Sequence, residues 1–271
     1  MSFSSEIKER LCAENGLCSQ CQKAEIFAML EFSGHKSENE IYINTENEAV
    51  ADRLMDYMNE KASLERNARN YRIKIQDIDI SCDIERECCK SAYIRGAFLS
   101  GGSVSSPEKN YHLEFATMNE AAAKKLARLL SDDGFFPKQA SRKGYTVVYF
   151  KDCDSIAELL GYMGEGVAGL KMFEKQIEKQ VRNDINRIVN CENANTNKLA
   201  KAASKHIHAV NMIKKSGAWE KLPDVLKEMG EIRCQYPVDS LKELGERLEP
   251  PIGKSGVNHR LNRILEFADN L

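Results

Sequence analysis

Residues 254–263 hold the side chains best suited to chemistry in this chain. Asn258, His259, Asn262 and Arg263 share one side of a helical repeat, Arg260 flanks them, and Lys254 and Ser255 lie just ahead. Asn matches the hydrogen-bonding edge of adenine, and Arg that of guanine, in the major groove of duplex DNA. A helix starting near Ser255 can hold a phosphate on its first N–H groups, with Lys254 supplying charge. No acidic residue lies between Glu249 and Glu266 to repel a polyanion. Lys254 and Ser255 are therefore assigned to phosphate, and Asn258, His259 and Arg263 to base edges or the groove. Arg260 suits either role. A structural hairpin with a solvated polar face would share this pattern.

Other constellations are weaker. Cys18 and Cys21 form a lone CxxC with Cys12 upstream, and Cys88-Cys89 has the wrong spacing for a second zinc knuckle. No metal site and no cofactor are expected. His206 and His208, two apart, diverge on a helix, and the five histidines make no metal pattern. No P-loop or dinucleotide fingerprint is present, and no His or Asp motif accompanies Ser103. Lys198, Lys201 and Lys205 share a helical face, with Lys214 and Lys215 following; these are secondary candidates for DNA contact. A run of this kind also suits a plain solvated face.

The recognition residues need a scaffold, and the preceding segment supplies one. Ser240 and Glu243 form a capping box, after which Leu241, Leu244 and Leu248 recur at helical spacing. Ser240 joins the candidate DNA-contacting set. Pro250, Pro251 and Gly253 stop that helix. Ser255 is expected to cap the next, whose apolar stripe is Val257, Leu261, Ile264 and Leu265. Two short helices with a compact turn match a helix-turn-helix.

Further upstream, helices are expected over 1–14, 22–32, 46–68, 84–99, 119–131 and 154–162, and strands over 41–44, 71–80, 111–116 and 145–150. Helix, strand, helix, strand thus occurs twice, which points to a structural duplication packed as one α+β domain. From Leu170 the pattern is helical. Asn190 to Asn197, with four Asn, is expected to be a loop or helix break and a domain boundary.

The chain has 271 residues, 42% hydrophobic and 30% charged, an ordinary globular composition. A net charge of −2 confines any nucleic-acid surface to a local patch. No apolar run reaches a membrane span, and the N-terminus lacks the apolar core of a secretion signal. Nine irregularly spaced cysteines suit reduced cytosolic thiols. No heptad seam is sustained, so a monomer is expected.

Three blocks of sequence resemble the WhiA family. They are Arg95-Gly96-Ala97-Phe98-Leu99-Ser100-Gly101-Gly102 with Tyr111-His112-Leu113-Glu114; Asn186-Arg187 through Asn195; and Ser240 to Gly245 with Pro250 to Leu261. The resemblance covers nearly the whole chain. It implies a bacterial protein with a duplicated LAGLIDADG homing-endonuclease-like domain followed by an all-α helix-turn-helix domain. The expected bounds are 1–83 and 84–190 for the two halves and 191–271 for the DNA-binding domain. It implies a sequence-specific regulator of transcription, in sporulation or in cell division and chromosome segregation. Double-stranded DNA is then the partner, together with cell-division or transcription proteins, and the protein is cytoplasmic, on the nucleoid, with no membrane association.

Homing endonucleases carry one metal-binding acid at the end of each signature helix. Here Ser33 and Gly101 stand in those places, and neither supplies a charge. Binding without cleavage is therefore expected, although Glu31 and Glu114 are close in sequence. A protein-interaction scaffold on an inactive endonuclease fold, or residual metal-dependent cleavage, are the alternative readings. Arg72, Lys74, His112 and Lys151 are strand positions that a DNA saddle could use.

Overall fold

The structure, a computed structural model, describes residues 2–14, 16–36, 40–68, 70–76, 82 and 84–271. It divides into two compact units, Met1–Gln180 and Val181–Leu271.

The first unit is α+β and duplicated. After α1 (Phe3–Ala13), one half runs α2 (Ser19–Ser33), β1 (His35–Lys36), β2 (Glu40–Thr45), α3 (Glu48–Met58), β3 (Ala62–Asn67) and β4 (Asn70–Gln76). The other runs α4 (Glu87–Gly101), β5 (Gly102–Val104), β6 (Leu113–Thr117), α5 (Glu120–Asp132), β7 (Lys138–Arg142) and β8 (Tyr145–Phe150), and α6 (Cys153–Tyr162) follows. Each half carries a four-stranded antiparallel sheet of the same order, β1-β2-β4-β3 and β5-β6-β8-β7. In the central pairs Ile43 opposes Ile73 and Phe115 opposes Val148, and all four are buried. One face of each sheet is therefore apolar and covered by helices, as period-2 alternation requires.

The duplication extends to single hydrogen bonds. Asn47 caps α3 by accepting from Val50 N at 3.2 Å, and Asn119 caps α5 by accepting from Ala122 N at 3.2 Å. The hydroxyl of Thr45 accepts from Asn47 N, and that of Thr117 from Asn119 N. Each capping bond of this type stabilises by about 1 kcal/mol.

α2 and α4 pack against each other at the centre of the core. Gly96 makes the close crossing possible, because a Cβ there would meet the carbonyl oxygen of Glu25 and the Ala28 side chain. Both helices have fifteen residues, and the seventh is Glu25 in α2 and Tyr93 in α4. Both side chains are fully buried. Glu25 accepts from Arg53 Nε at 2.5 Å and from Arg95 Nε at 2.7 Å, and Arg95 also pairs with Glu14.

Several expectations need correction. Four strands had no sequence signal, so each half is a helix and a strand pair, twice over. In β7 every residue is exposed, and in β3 only Ala62 and Leu64 are partly covered. β7 shows no alternation, and in β3 it lasts only from Ala62 to Leu64, too short to mark a half-buried strand. The helix expected over 46–68 ends at Met58, where Asn59 takes a left-handed φ of 47°. The strand expected over 71–80 is Asn70–Gln76, and its residues 77–80 lie outside the described residues.

α7 runs from Gly166 to Lys215 without interruption, so the loop expected at Asn190 to Asn197 is helix. Asn costs a helix only a few tenths of a kcal/mol over Ala, and the stretch contains neither Gly nor Pro. The chain divides into its two compact units after Gln180.

The second unit is all helical: the end of α7, then α8 (Asp224–Gln235), α9 (Leu241–Glu246) and α10 (Lys254–Asp269). Its own core joins Val210 and Ile213 of α7, Leu226 and Met229 of α8, Leu244 of α9, and Val257, Leu261 and Ile264 of α10. Burying a side chain of this kind contributes about 1.5–3 kcal/mol.

Candidate nucleic-acid interface

α9 begins as its sequence predicts. Glu243 N donates to Ser240 Oγ at 3.3 Å, and Ser240 N donates to Glu243 Oε2 at 2.7 Å, a complete capping box. The Ser240 hydroxyl is thus already engaged by the helix it starts. Gly245 brings the turn close, since a Cβ there would collide with the Ile252 carbonyl oxygen.

α10 starts differently from the expectation. Gly253 is the N-cap, with no side-chain cap, and Ser255 is the second helical residue. The amides of Gly256 and Val257 turn back to the Gly253 carbonyl at 2.9 and 3.2 Å. The amides of Lys254 and Ser255 have no intrahelical acceptor, so this terminus presents donors and the positive end of the helix dipole. Ser255 therefore has no capping role, which leaves its amide and hydroxyl at the exposed terminus.

Val257, Leu261, Ile264 and Ala268 are buried at four- and three-residue steps, which fixes the rotation of α10. The opposite face is exposed and carries Lys254, Ser255, Asn258, His259, Asn262 and Arg263. The structure thus brings five of the sequence-assigned residues onto one exposed face, Lys254, Ser255, Asn258, His259 and Arg263, with Glu266 and Asp269 at its C-terminal end. Arg260 is half-buried, with its guanidinium 3.9 Å from Glu228 of α8. The secondary candidates Lys198, Lys201, Lys205, Lys214 and Lys215 are all exposed on α7, and Lys214 lies 4.5 Å over the Trp219 ring.

Two residues missed in the sequence support this surface from behind. Arg233 of α8 is almost fully buried and donates Nη1 to the Asp239 carbonyl at 2.8 Å and to the Pro237 carbonyl at 3.4 Å. It holds the chain entering α9. Beside it, His206 of α7 is buried, and burial, with the charge of Arg233 adding to it, pulls its pKa below the ordinary value. Nδ1 of His206 and Nε of Arg233 have no hydrogen-bond partner among the described residues. A signal for Arg233 was present: it lies four residues after Met229 and seven after Leu226, on the apolar stripe of its helix.

In the first unit the ends of α2 and α4 border an open cleft of about 1150 Å³, lined by Glu31, Ser33, Ser100, Gly101 and Asn119 among others. Glu31 is committed elsewhere. Its Oε2 accepts from Tyr93 OH at 2.7 Å and from Lys125 Nζ at 3.0 Å. Glu114 is held by His112 Nε2 at 2.9 Å and by Ser103 Oγ. Among the described residues, no three carboxylate or imidazole ligand atoms converge at these helix ends. The strand positions considered for a saddle have local partners too. Lys74 pairs with Glu65 at 2.6 Å, Arg72 lies 4.2 Å over the Tyr42 ring, and Lys151 lies 5.3 Å over the Tyr149 ring.

Comparison with known proteins places these observations. A family model described as the WhiA C-terminal HTH domain matches residues 185–268, and one described as the WhiA LAGLIDADG-like domain matches residues 90–182. A protein of Alkaliphilus metalliredigens described as "probable cell division protein WhiA" is 38% identical, covering 99% of this chain and 98% of that protein. One of Clostridium botulinum with the same description is 36% identical over 100% of this chain and 99% of its own. The crystal structure of full-length WhiA from Thermotoga maritima has a TM-score of 0.67 at 24% identity, covering 100% of this chain and 99% of that one. At that identity the last likeness bears on the fold alone.

Proposed function

The chain belongs to the WhiA family, and on that footing we propose that it is a sequence-specific double-stranded DNA-binding protein that regulates transcription and does not cut DNA. The observation that carries this reading is the exposed face of α10. Lys254 and Ser255 stand at an uncapped helix terminus, and Asn258, His259 and Arg263 follow on the same side with no carboxylate among them. The terminus fits phosphate, and the side chains beyond it fit base edges. The role of the regulation is cell division and chromosome segregation, or sporulation, and DNA as ligand puts the working protein on the nucleoid. Protein partners from division or transcription and a monomeric state belong to the same proposal, as do the domain bounds 1–83, 84–190 and 191–271.

Binding without cleavage is supported by Ser33 and Gly101 at the helix ends and by the engagement of Glu31 with Tyr93 and Lys125. A phosphodiesterase centre of this kind needs oxygen ligands that can take up divalent cations. Mg²⁺-dependent cutting by highly purified protein, abolished by Glu31→Ala, would overturn this part.

The direct test is a chromosome-wide map of occupancy for the intact chain and for the full-length double variant Lys254→Ala/Arg263→Ala. Discrete peaks that vanish in the variant support the reading. Peaks that persist unchanged move DNA binding to another surface of the protein.

A further inference from the structure

The fold gathers four cysteines that the sequence holds apart. Sγ of Cys18, Cys21 and Cys88 all lie within 4.8 Å of one another, and Cys18 and Cys21 approach to 3.2 Å. Cys89 is buried next to Cys88 in α4, outside the set of three sulfurs that lie mutually within 4.8 Å. Cys18 is the N-cap of α2, Cys21 its third residue, and Cys88 and Cys89 are the second and third residues of α4. The cluster therefore sits where the N-terminal ends of the two central helices meet, and each copy of the duplication contributes two sulfurs.

We propose that Cys18, Cys21 and Cys88, with Cys89 as fourth thiolate, bind one zinc ion that ties α2 to α4. Zinc–thiolate bonds of about 2.3 Å in a tetrahedron put neighbouring sulfurs about 3.8 Å apart. Three sulfurs mutually within 4.8 Å fit that spacing, and Cys89 must bring its thiol inward to complete the set. Soft thiolates select zinc over the hard cations that a phosphodiesterase would use. The backbone supports the anionic form of Cys18 as well. Cys21 N donates to Cys18 Sγ at 3.4 Å, and two helix N-termini direct positive dipole ends at the sulfurs. Four thiolates around Zn²⁺ leave a net charge of −2, which those dipole ends offset.

Knuckle counting passes over this site because it looks for two local pairs. Here the second pair is two adjacent residues at the start of a helix, joined to the first only by the tertiary fold. A CxxC at a helix start also suits a redox dithiol, but that chemistry needs two sulfurs, and a third and fourth thiol have no place in it. The expected consequence of metal binding is mechanical, since one ion would lock the two halves together at the ends of α2 and α4 away from the cleft.

The test is metal analysis of the full-length protein purified with reductant and without chelator. The expected result is one zinc per chain. Replacing it with cobalt should give thiolate-to-metal charge-transfer bands and the d–d bands of a tetrahedral site. Cys88→Ser should lose the metal as completely as Cys21→Ser, while Cys191→Ser and Cys234→Ser should keep it. Cys18 and Cys88 are exposed, so their serine variants should still fold, and circular dichroism checks this. The wild-type cobalt spectrum is independent of any variant. Retention of full zinc by Cys88→Ser overturns the proposal, as does wild-type protein without zinc or with a Cys18–Cys21 disulfide under reducing conditions. Absorption from an iron–sulfur cluster overturns it too.

Discussion

Glu25 and Arg95 meet at 2.7 Å between carboxylate Oε2 and guanidinium Nε, with the carboxylate fully buried and the arginine nearly so. They come from opposite copies of the duplication. The other carboxylate oxygen takes Arg53 at 2.5 Å, and Arg53 donates further to the backbone carbonyls of Cys12 and Glu14. One carboxylate thus neutralises charge from both halves in a place that water does not reach.

Removing that charge should be costly. Breaking a buried pair from one side costs about 3–5 kcal/mol, because the partner charge stays behind. Glu25→Gln should therefore lower the melting temperature of the first unit by about 10 °C. Replacing Glu25, Arg53 and Arg95 together by Met should recover most of the loss. Scanning calorimetry on the three proteins decides it, and an unchanged transition for Glu25→Gln sinks the idea.

His206 predicts a pH dependence with a definite sign. Burial depresses its pKa in the folded state below the ordinary 6.5, so the unfolded chain binds the extra proton. The second unit should hold its full stability above about pH 6.5 and lose it as pH falls through that value toward the depressed pKa. Replacing His206 with Met should flatten this part of the curve. Urea melts at several pH values, followed through Trp219 fluorescence, provide the check.

Arg233 predicts an indirect effect on binding. Arg233→Met leaves the carbonyls of Pro237 and Asp239 without their donor, at a cost of about 1–3 kcal/mol in stability. DNA affinity should fall because α9 is entered less rigidly. The slope of affinity against salt should stay the same, since Arg233 neutralises no phosphate. A shallower slope would mean that Arg233 touches DNA itself.

Lys254 and Arg263 should separate cleanly. Lys254→Ala should weaken binding evenly across sequences and reduce the salt slope by about one unit. Arg263→Ala should cost about 1–3 kcal/mol on the preferred site and relax the preference at one position. Binding selections on randomised duplexes at two salt concentrations distinguish the outcomes. If Arg263→Ala leaves both affinity and preference intact, the base-reading role is lost.

Where burial and local chemistry agree, the chain could be read directly. Ser240 with Glu243 announced the start of α9, and Ile41, Ile43, Ile73 and Ile75 marked two strands by alternation. Reading failed where a segment's environment is set from a distance. β7 is exposed along its length and is a strand because β8 pairs with it. The Asn-rich stretch resembles a loop in composition, yet it lies inside a helix whose flanking turns propagate through it. Cys88 looked unrelated to Cys18 because only the packing of α2 on α4 makes them neighbours. Within α10 the exposed face was legible residue by residue, and the cap was not. Gly253 fills the N-cap position by backbone conformation, and Ser255 was the residue whose type suggested it.

The seventh positions of α2 and α4 have a consequence for how the duplicated halves recognise each other. A second copy of α2 in place of α4 would bury a second carboxylate where Tyr93 sits and supply no Arg95 to the first. A second copy of α4 in place of α2 would leave Arg95 without the buried carboxylate of Glu25. Each repeat is therefore built to reject its own kind, at a penalty of several kcal/mol. A folding chain in a crowded cell is steered toward its own other half and away from exchange with a neighbouring molecule, so a duplication that began with interchangeable parts now behaves as a matched left and right.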